Sequence, residues 1–444
     1  MDKLPTGFVF FPAFDWSLGI DHPEREERLL YTRDLLEEEG VFDISEIENI
    51  LPEYAADEMI SGPHICLPVL DRLITSAHRY AIGGIKTLAD ARMQNKIRNG
   101  FAVIRPPGHH AFRLTYGNRG FCNVNNMAIL VHYLRTHYHI RKIAVIDTDV
   151  HHGDGTQNIF WHDPDTLFIS THQDGRTQYP GTGFLAEFGG PCAFGANINI
   201  PLLPGCGDKA MKHVIENTIL PILDDFKPEM ILNSAGQDCH FSDPLGSLRI
   251  TAQGYVEITR LINPDLIVLE GGYSAETALP YLHLAILSTL AGINTADIHE
   301  PGFENVCIEE PEESIEAAKH IAEQALSAYQ QREVFYKEAF RDTGKTCSRN
   351  LRIYYDTDGI VDFEHERFYR CDSCNGTLLI DSESHFGTGE TIRTRVSIAS
   401  YHRCSKCLDN AMKHFNTSLK KSSPFHFVVF QDLHENKVIK HQII

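Results

Sequence analysis

Five short apolar runs most constrain the fold of this chain. They are FAVI (101–104), KIAVID (142–147), TLFIS (166–170), MILNSA (230–235) and LIVLEGG (266–272), with helical patterns between them. A strand apolar on both faces must be covered on both. That is the pattern of a parallel sheet walled by helices, so the expected class is α/β. Each run ends in Gly, Asp, Ser, Pro or His. In open parallel sheets the ligand sits at the carboxyl ends of the strands, so the chemistry is expected there.

The 444 residues allow two or three domains, or one large domain and a smaller one. Hydrophobic residues at 42% and charged residues at 23% exclude wholesale disorder. An acidic helix is expected to follow His22-Pro23 and to stop at Gly40. A long helix is expected over 311–340, with Ile315, Ile321, Leu326, Tyr329 and Phe335 as its core stripe. Beyond it RIYYD, RFYRC, TRVSIASYHRC and HFVVFQD read as short strands, and two Cys-x-x-Cys pairs appear. The boundary is placed near residue 345, giving units 1–345 and 346–444.

The formal charge is −20, and it is uneven: 25 basic against 47 acidic side chains before residue 341, then 15 against 13. Such a chain is ill suited to non-specific nucleic-acid binding, which needs clustered Lys and Arg. An acidic surface favours encounter with cationic substrates, and it also serves solubility. Eleven cysteines scattered over a long chain are not a secreted disulfide framework. No signal peptide and no membrane span are expected. The expected setting is intracellular, cytoplasm or nucleus, with export into a host cell as an open alternative.

Four clusters carry the chemistry. In IDTDVHHGDG (146–155), alternation along an extended strand turns Asp147, Asp149 and His151 the same way, a start for a divalent metal site. In RPPGHHA (105–111), tandem histidines on a rigid loop can divide acid and base work. In NSAGQDCHFSDPLG (233–246), Asp238 is a further ligand candidate, and Asp243-Pro244 reads equally as a turn. In LEGGYS (269–274), Gly271 and Gly272 allow close backbone approach, and Tyr273 on a flexible tip can donate to a developing oxyanion. Taken singly, each also has a bland reading as a capped junction, a surface loop, a turn or a loop tyrosine.

Together the clusters, with GFCNVNN and STH…YPGTG, occur in the order seen in zinc-dependent histone deacetylases and their bacterial relatives. The chain resembles that family over about residues 8–300, most closely its class II side. The resemblance implies an arginase-like α/β deacetylase fold and hydrolysis of N-acetyl-lysine in histone or other protein tails. It implies catalytic zinc on Asp149, His151 and Asp238. It gives His110 the role of general base toward the attacking water and His109 that of its partner near the leaving amine. Asp147 and Asp154 would orient His109 and His110 respectively, and Tyr273 would be the oxyanion donor. Phe121 and Tyr179 would wall the acetyl-lysine tunnel, with Gly120 and Gly271 beside it and Leu245 at its rim. A structural potassium ion would fall on Asp147, Asp149, His151, Ser170 and Thr171.

Three departures bear on specificity. Gln237 replaces a common Phe, Tyr179 replaces a tunnel Phe, and Arg176 with Gln178 makes the rim more polar. Leu245, where polyamine-specific members carry Glu, leans toward peptide substrates.

Cys371, Cys374, Cys404 and Cys407 read as a structural zinc site of ribbon type in a small β-rich domain. An accidental or redox pair is the bland reading. That domain is expected to dock a protein or nucleosome, or to dimerise. Lys413, Lys420, Lys421 and Lys437 with Phe415 and Phe425 are its candidate contacts. Three rivals remain: a hydrolase of small amides such as acetylpolyamines, a non-catalytic acetyl-lysine or chromatin scaffold, and a binuclear manganese ureohydrolase.

Overall fold

The computed structural model describes residues 4–303, 308–341, 344–420 and 422–443, so Lys421 lies outside the described residues. Ten strands precede residue 300: β1 (Thr6–Phe11), β2 (Ile47–Asn49), β3 (Ile65–Cys66), β4 (Asn99–Ile104), β5 (Leu114–Thr115), β6 (Ile143–Asp147), β7 (Thr166–Gln173), β8 (Asn197–Leu202), β9 (Met230–Ala235) and β10 (Leu266–Leu269). Eight of them form one parallel sheet in the order β2-β1-β4-β10-β9-β6-β7-β8, while β3 and β5 pair apart.

Side-chain alternation splits the strands between two cores. Phe8, Phe101, Val103, Ile146, Ile169, Ile267 and Leu269 face one core, shared with helices Ala252–Ile262, Leu279–Ala291 and Glu312–Gln330. Val9, Ala102, Ile104, Val145, Phe168 and Val268 face the other, shared with helices Ser76–Met93 and Asn126–Tyr138. This is the expected parallel sheet covered on both faces.

The expected helix over 311–340 breaks at Gln331 into Glu312–Gln330 and Arg332–Ala339. Ile315 and Tyr329 are buried, Ile321 and Leu326 pack partly against the core, and Phe335, beyond the break, is exposed. The early acidic helix, Leu30–Glu38, is followed by Gly40 at φ +67°, a left-handed stop that glycine adopts without cost.

The second sheet is β11 (Thr346–Tyr355), β12 (Ile360–Tyr369), β13 (Thr377–His385), β14 (Thr391–Ala399), β15 (Phe427–Asp432) and β16 (Lys437–Gln442), paired in sequence order. All its pairings are antiparallel except β14 with β15, which are parallel and joined through helix Ser405–Ser418. One face of this sheet does not close on itself. Ile353, Tyr355, Phe368, Ile380, Val396 and Val429 share a core with Ile65, Leu67, Phe112, Leu114 and Tyr116 of the first unit. Among the described residues no helix is long and apolar enough to cross a membrane.

Candidate active site

The loops leaving the carboxyl ends of β4, β6, β9 and β10 converge on a cavity of about 240 Å³. His109, His110, His151 and Tyr273 all line it.

β6 ends at Asp147, so the alternation expected of an extended strand does not place Asp149 and His151. Consecutive turns do. The Asp147 carboxylate accepts the Asp149 N–H at 3.1 Å, and the Asp149 carboxylate accepts the His151 N–H at 2.8 Å. The His151 Nδ1 then lies 3.0 Å from Asp149 Oδ1 and 3.1 Å from Asp238 Oδ2. Asp238 comes from the loop after β9, and its Oδ1 accepts the Val150 N–H at 2.9 Å. Gly271 closes the rear: a Cβ there would stand 2.0 Å from Asp238 Oδ2, and its N–H donates to Asp149 Oδ2 at 2.8 Å.

The ligand atoms of Asp149, His151 and Asp238 all lie within 4.8 Å of one another, buried or nearly so. Burial and the neighbouring Asp149 push Asp238 up to about 7. Burial opposes charge on His151, yet the two carboxylates hold it up to about 10. A divalent cation relieves that crowding, and one imidazole with two carboxylates fits a site that keeps a position open.

The tandem histidines lie side by side, ring centroids 4.0 Å apart. His109 Nδ1 is 3.1 Å from Asp147 Oδ2, and His110 Nδ1 is 2.8 Å from Asp154 Oδ1. Burial opposes charge on His109, but Asp149 and Asp147 hold its pKa well above the usual value. His110 goes the other way, down to about 4, through burial and the charge of His109. Asp154 also pairs with Arg119, which neutralises that carboxylate and weakens its pull on His110.

Tyr273 is not on a free tip. Asp243 accepts its N–H at 2.6 Å and that of Ser274 at 3.2 Å, and the Arg28 guanidinium covers its ring at 4.8 Å. Burial raises its phenol well above 10, so it is a donor at neutral pH.

Phe121, Tyr179, Gly120, Gly271 and Leu245 all line the cavity. Phe121 sits at φ +69°, a costly conformation for a bulky residue, and meets Tyr273 edge to face at 5.7 Å. The Gln178 side chain lines the cavity and donates to the Leu245 carbonyl at 2.6 Å, whereas Arg176 turns away to Asp174. Gln237 is buried with its amide toward His283, at 3.3 Å. Ser170 and Thr171 are buried beside Asp147 on β7. The Ser170 hydroxyl is 2.8 Å from His172 Nδ1, and the Thr171 hydroxyl donates to the Asp147 carbonyl at 3.3 Å.

Several residues of the site, Glu270 excepted, lie outside the four sequence clusters. Glu270 accepts the N–H groups of Gly108 and His109 at 2.7 and 3.1 Å and so fixes the histidine loop. Arg28 holds the Gly272 carbonyl, and buried Glu24 joins Arg28 to Arg105. An acid at the end of an apolar strand is a signal that finds Glu270. Arg28, Arg119 and Asp356, which also lines the cavity, have none.

The four C-terminal cysteines cluster within 4.8 Å, with Cys371 and Cys374 3.8 and 3.6 Å from Cys404. All described cysteines are free thiols. Thiolates about 3.8 Å apart match tetrahedral zinc at a Zn–S distance of about 2.3 Å. The candidate aromatic contacts fall differently from expectation. Phe415 is core, and Phe425 is half-buried against Arg395, so neither offers a face for stacking bases.

Comparison with known proteins gives the class, a hydrolase of acetylated amides. Residues 44–290 match the histone deacetylase domain family. The chain is 42% identical over 331 residues to a probable deacetylase of Archaeoglobus fulgidus, covering 67% of this chain and 89% of that one. It is 32% identical over 231 residues to the histone deacetylase-like amidohydrolase of Pseudomonas aeruginosa, covering 50% and 60%. The crystal structure of the HDA15 HD domain superposes with a TM-score of 0.64 at 26% identity, over 77% of this chain and all of that one. The chain belongs to the histone deacetylase family. The second sheet lies beyond the matched segment.

Proposed function

We propose that the chain hydrolyses N-acetyl-lysine in protein tails, histone tails among them, releasing acetate. The observation that carries this reading is the meeting, at one cavity, of a three-ligand metal set, two histidines each held by its own carboxylate, and a buried tyrosine. Asp149, His151 and Asp238 hold zinc, which when bound supplies Lewis acidity and lowers the pKa of water toward about 7. His110, neutral and steadied by Asp154, takes the proton of the attacking water. His109, charged and held by Asp147, stands beside it to donate to the leaving amine. Tyr273 donates to the developing oxyanion, and Arg28 with Asp243 fixes where it points. Phe121 and Tyr179 wall the acyl-lysine stem.

Asp147, Asp149, His151, Ser170 and Thr171 are read as a potassium site behind the zinc ligands, and the four cysteines as a closed structural zinc. The free thiols favour an intracellular setting, cytoplasm or nucleus. The second sheet is read as a docking or dimerising module for a protein or nucleosome. The first test is acetate release from a pool of acetylated histone-tail peptides by the zinc-loaded full chain, with and without a hydroxamate chelator. Hydroxamate-sensitive release is expected. Release from acetylpolyamines alone would move the assignment to small amides, and no release from either would sink it.

A further inference from the structure

The turn between β11 and β12 reaches back into the cavity. Asp356, the residue after Tyr355, lines it alongside Gly120, Gln178 and Tyr179. Among the described residues that line it, Asp356 is the only carboxylate.

Its position is built. The Arg119 guanidinium donates to the Tyr354 carbonyl at 2.6 Å, and the Tyr355 hydroxyl to the Leu114 carbonyl at 2.7 Å. Asp358 accepts the Asn118 N–H at 2.6 Å, and the Thr357 hydroxyl donates to the Asn118 side chain at 2.8 Å. A Cβ on Gly117 would meet Asp358 Oδ2 at 2.4 Å, so the two loops touch backbone to side chain.

Held this way, the Asp356 carboxylate accepts the Gly120 N–H, weakly, at 3.2 and 3.3 Å, and the Thr357 hydroxyl at 3.3 Å. No Lys or Arg among the described residues forms an ion pair with it; Arg119, which feels its charge, pairs with Asp154 instead. The Tyr179 hydroxyl is buried beside it, with Asp356 as its facing carboxylate. The cavity therefore holds a carboxylate acceptor with spare lone pairs beside a buried phenol, and the hydrogen bonds of the turn fix where that carboxylate lies.

We infer that the second sheet completes the substrate site, and that Asp356 is a specificity-determining residue which accepts a positively charged N–H donor lying near the acylated nitrogen of the substrate. This rests on the deacetylase reading and names its preferred substrate class. The donor has two sources, the distal ammonium of an acetylated diamine or a basic neighbour of acetyl-lysine in a peptide.

The test uses the zinc-loaded full chain and its Asp356→Asn variant, which keeps the acceptor for Gly120 and loses the charge. Two matched pairs serve as substrates: monoacetyl diamines against acetyl monoamines of equal length, and acetyl-lysine peptides with a basic against a neutral neighbour. The readout is the kcat/KM ratio, cationic over neutral. One charge-assisted hydrogen bond at a half-open mouth makes the expected fall about tenfold. A fall of threefold or more in either pair supports the assignment, and the pair that responds names the source. A smaller change in both overturns it while leaving the deacetylase reading intact. If the wild type turns over none of these amides, that reading fails. Hydroxamates with ammonium and neutral caps then decide this one, on the same threefold criterion applied to affinity.

Discussion

Two imidazoles adjacent in sequence hold their protons differently, because their environments differ. His109 faces two carboxylates, Asp147 and Asp149, whereas the carboxylate facing His110 is already paired with Arg119. That asymmetry lets one ring accept a proton while the other keeps one. Removing the acceptor in His110→Ala is expected to lower kcat by about 10²–10⁴ on an acetyl-lysine peptide. Tyr273→Phe deletes the proposed oxyanion donor and leaves the ring against Phe121 and Arg28, so a loss of about 10²–10³ in kcat is expected. Steady-state kinetics on the zinc-loaded variants check both, and an activity within threefold of wild type in either would remove that residue from the chemistry. These residues were legible because the motifs are local. Their supports were not. Glu270, Asp243 and Arg28 act through backbone N–H and carbonyl groups of distant loops, and no spacing in the chain encodes such partners.

At the scale of elements, apolar runs showed five strands of the parallel sheet, β4, β6, β7, β9 and β10. They left out β1, β2 and β8, and in the second sheet β13 and β16. β16 is largely exposed and alternates weakly, so nothing in its pattern sets it apart from a loop. The break at Gln331 was equally silent, since helical periodicity continues across it. The cysteine spacing was the clearest signal in the last hundred residues. It ties the β12–β13 loop to the start of helix Ser405–Ser418, for which Cys404 is the N-cap. A closed thiolate site contributes directly to folding. Cys404→Ser is expected to reduce the zinc content from about two per chain to about one and to lower the thermal midpoint, checked by metal analysis and calorimetry. Unchanged zinc would mean the cluster is a thiol group without a metal.

At the scale of the molecule, a boundary near residue 345 marks a change of texture in the sequence, but the two units share buried surface. Ile65, Leu67, Phe112 and Leu114 pack against the second sheet, and His132 lies 2.8 Å from the Tyr401 hydroxyl and 2.9 Å from the Asn436 side chain. Truncation after residue 345 is therefore expected to give aggregating protein rather than an active core, measured by light scattering. A stable, active fragment would contradict the shared core. Acid should act on the same buried network. Burial lowers His64, His78 and His283 to about 3 and His132 to about 4, against about 6.5 in the unfolded chain. Below pH 6.5 the unfolded state thus binds more protons at these sites. The stability they contribute is fully present above that pH and is lost as pH falls toward 4. Each ring costs about 1.4 kcal/mol per pH unit once well inside that window. His110 and His172, both near 4, act in the same direction. Burial raises Glu270 to about 7, and raises Glu364, Asp208, Asp243 and Asp362 as well, so these carboxyls act in the opposite direction, but the lowered histidines, His152, His162, His402 and His414 among them, outnumber them. The thermal midpoint of the zinc-loaded chain should fall steadily from pH 6.5 to 5, with the ring signals of His64, His78 and His283 still those of neutral imidazole at pH 5. A flat midpoint over that range, or protonated rings in folded protein, would show that these histidines are not held dry.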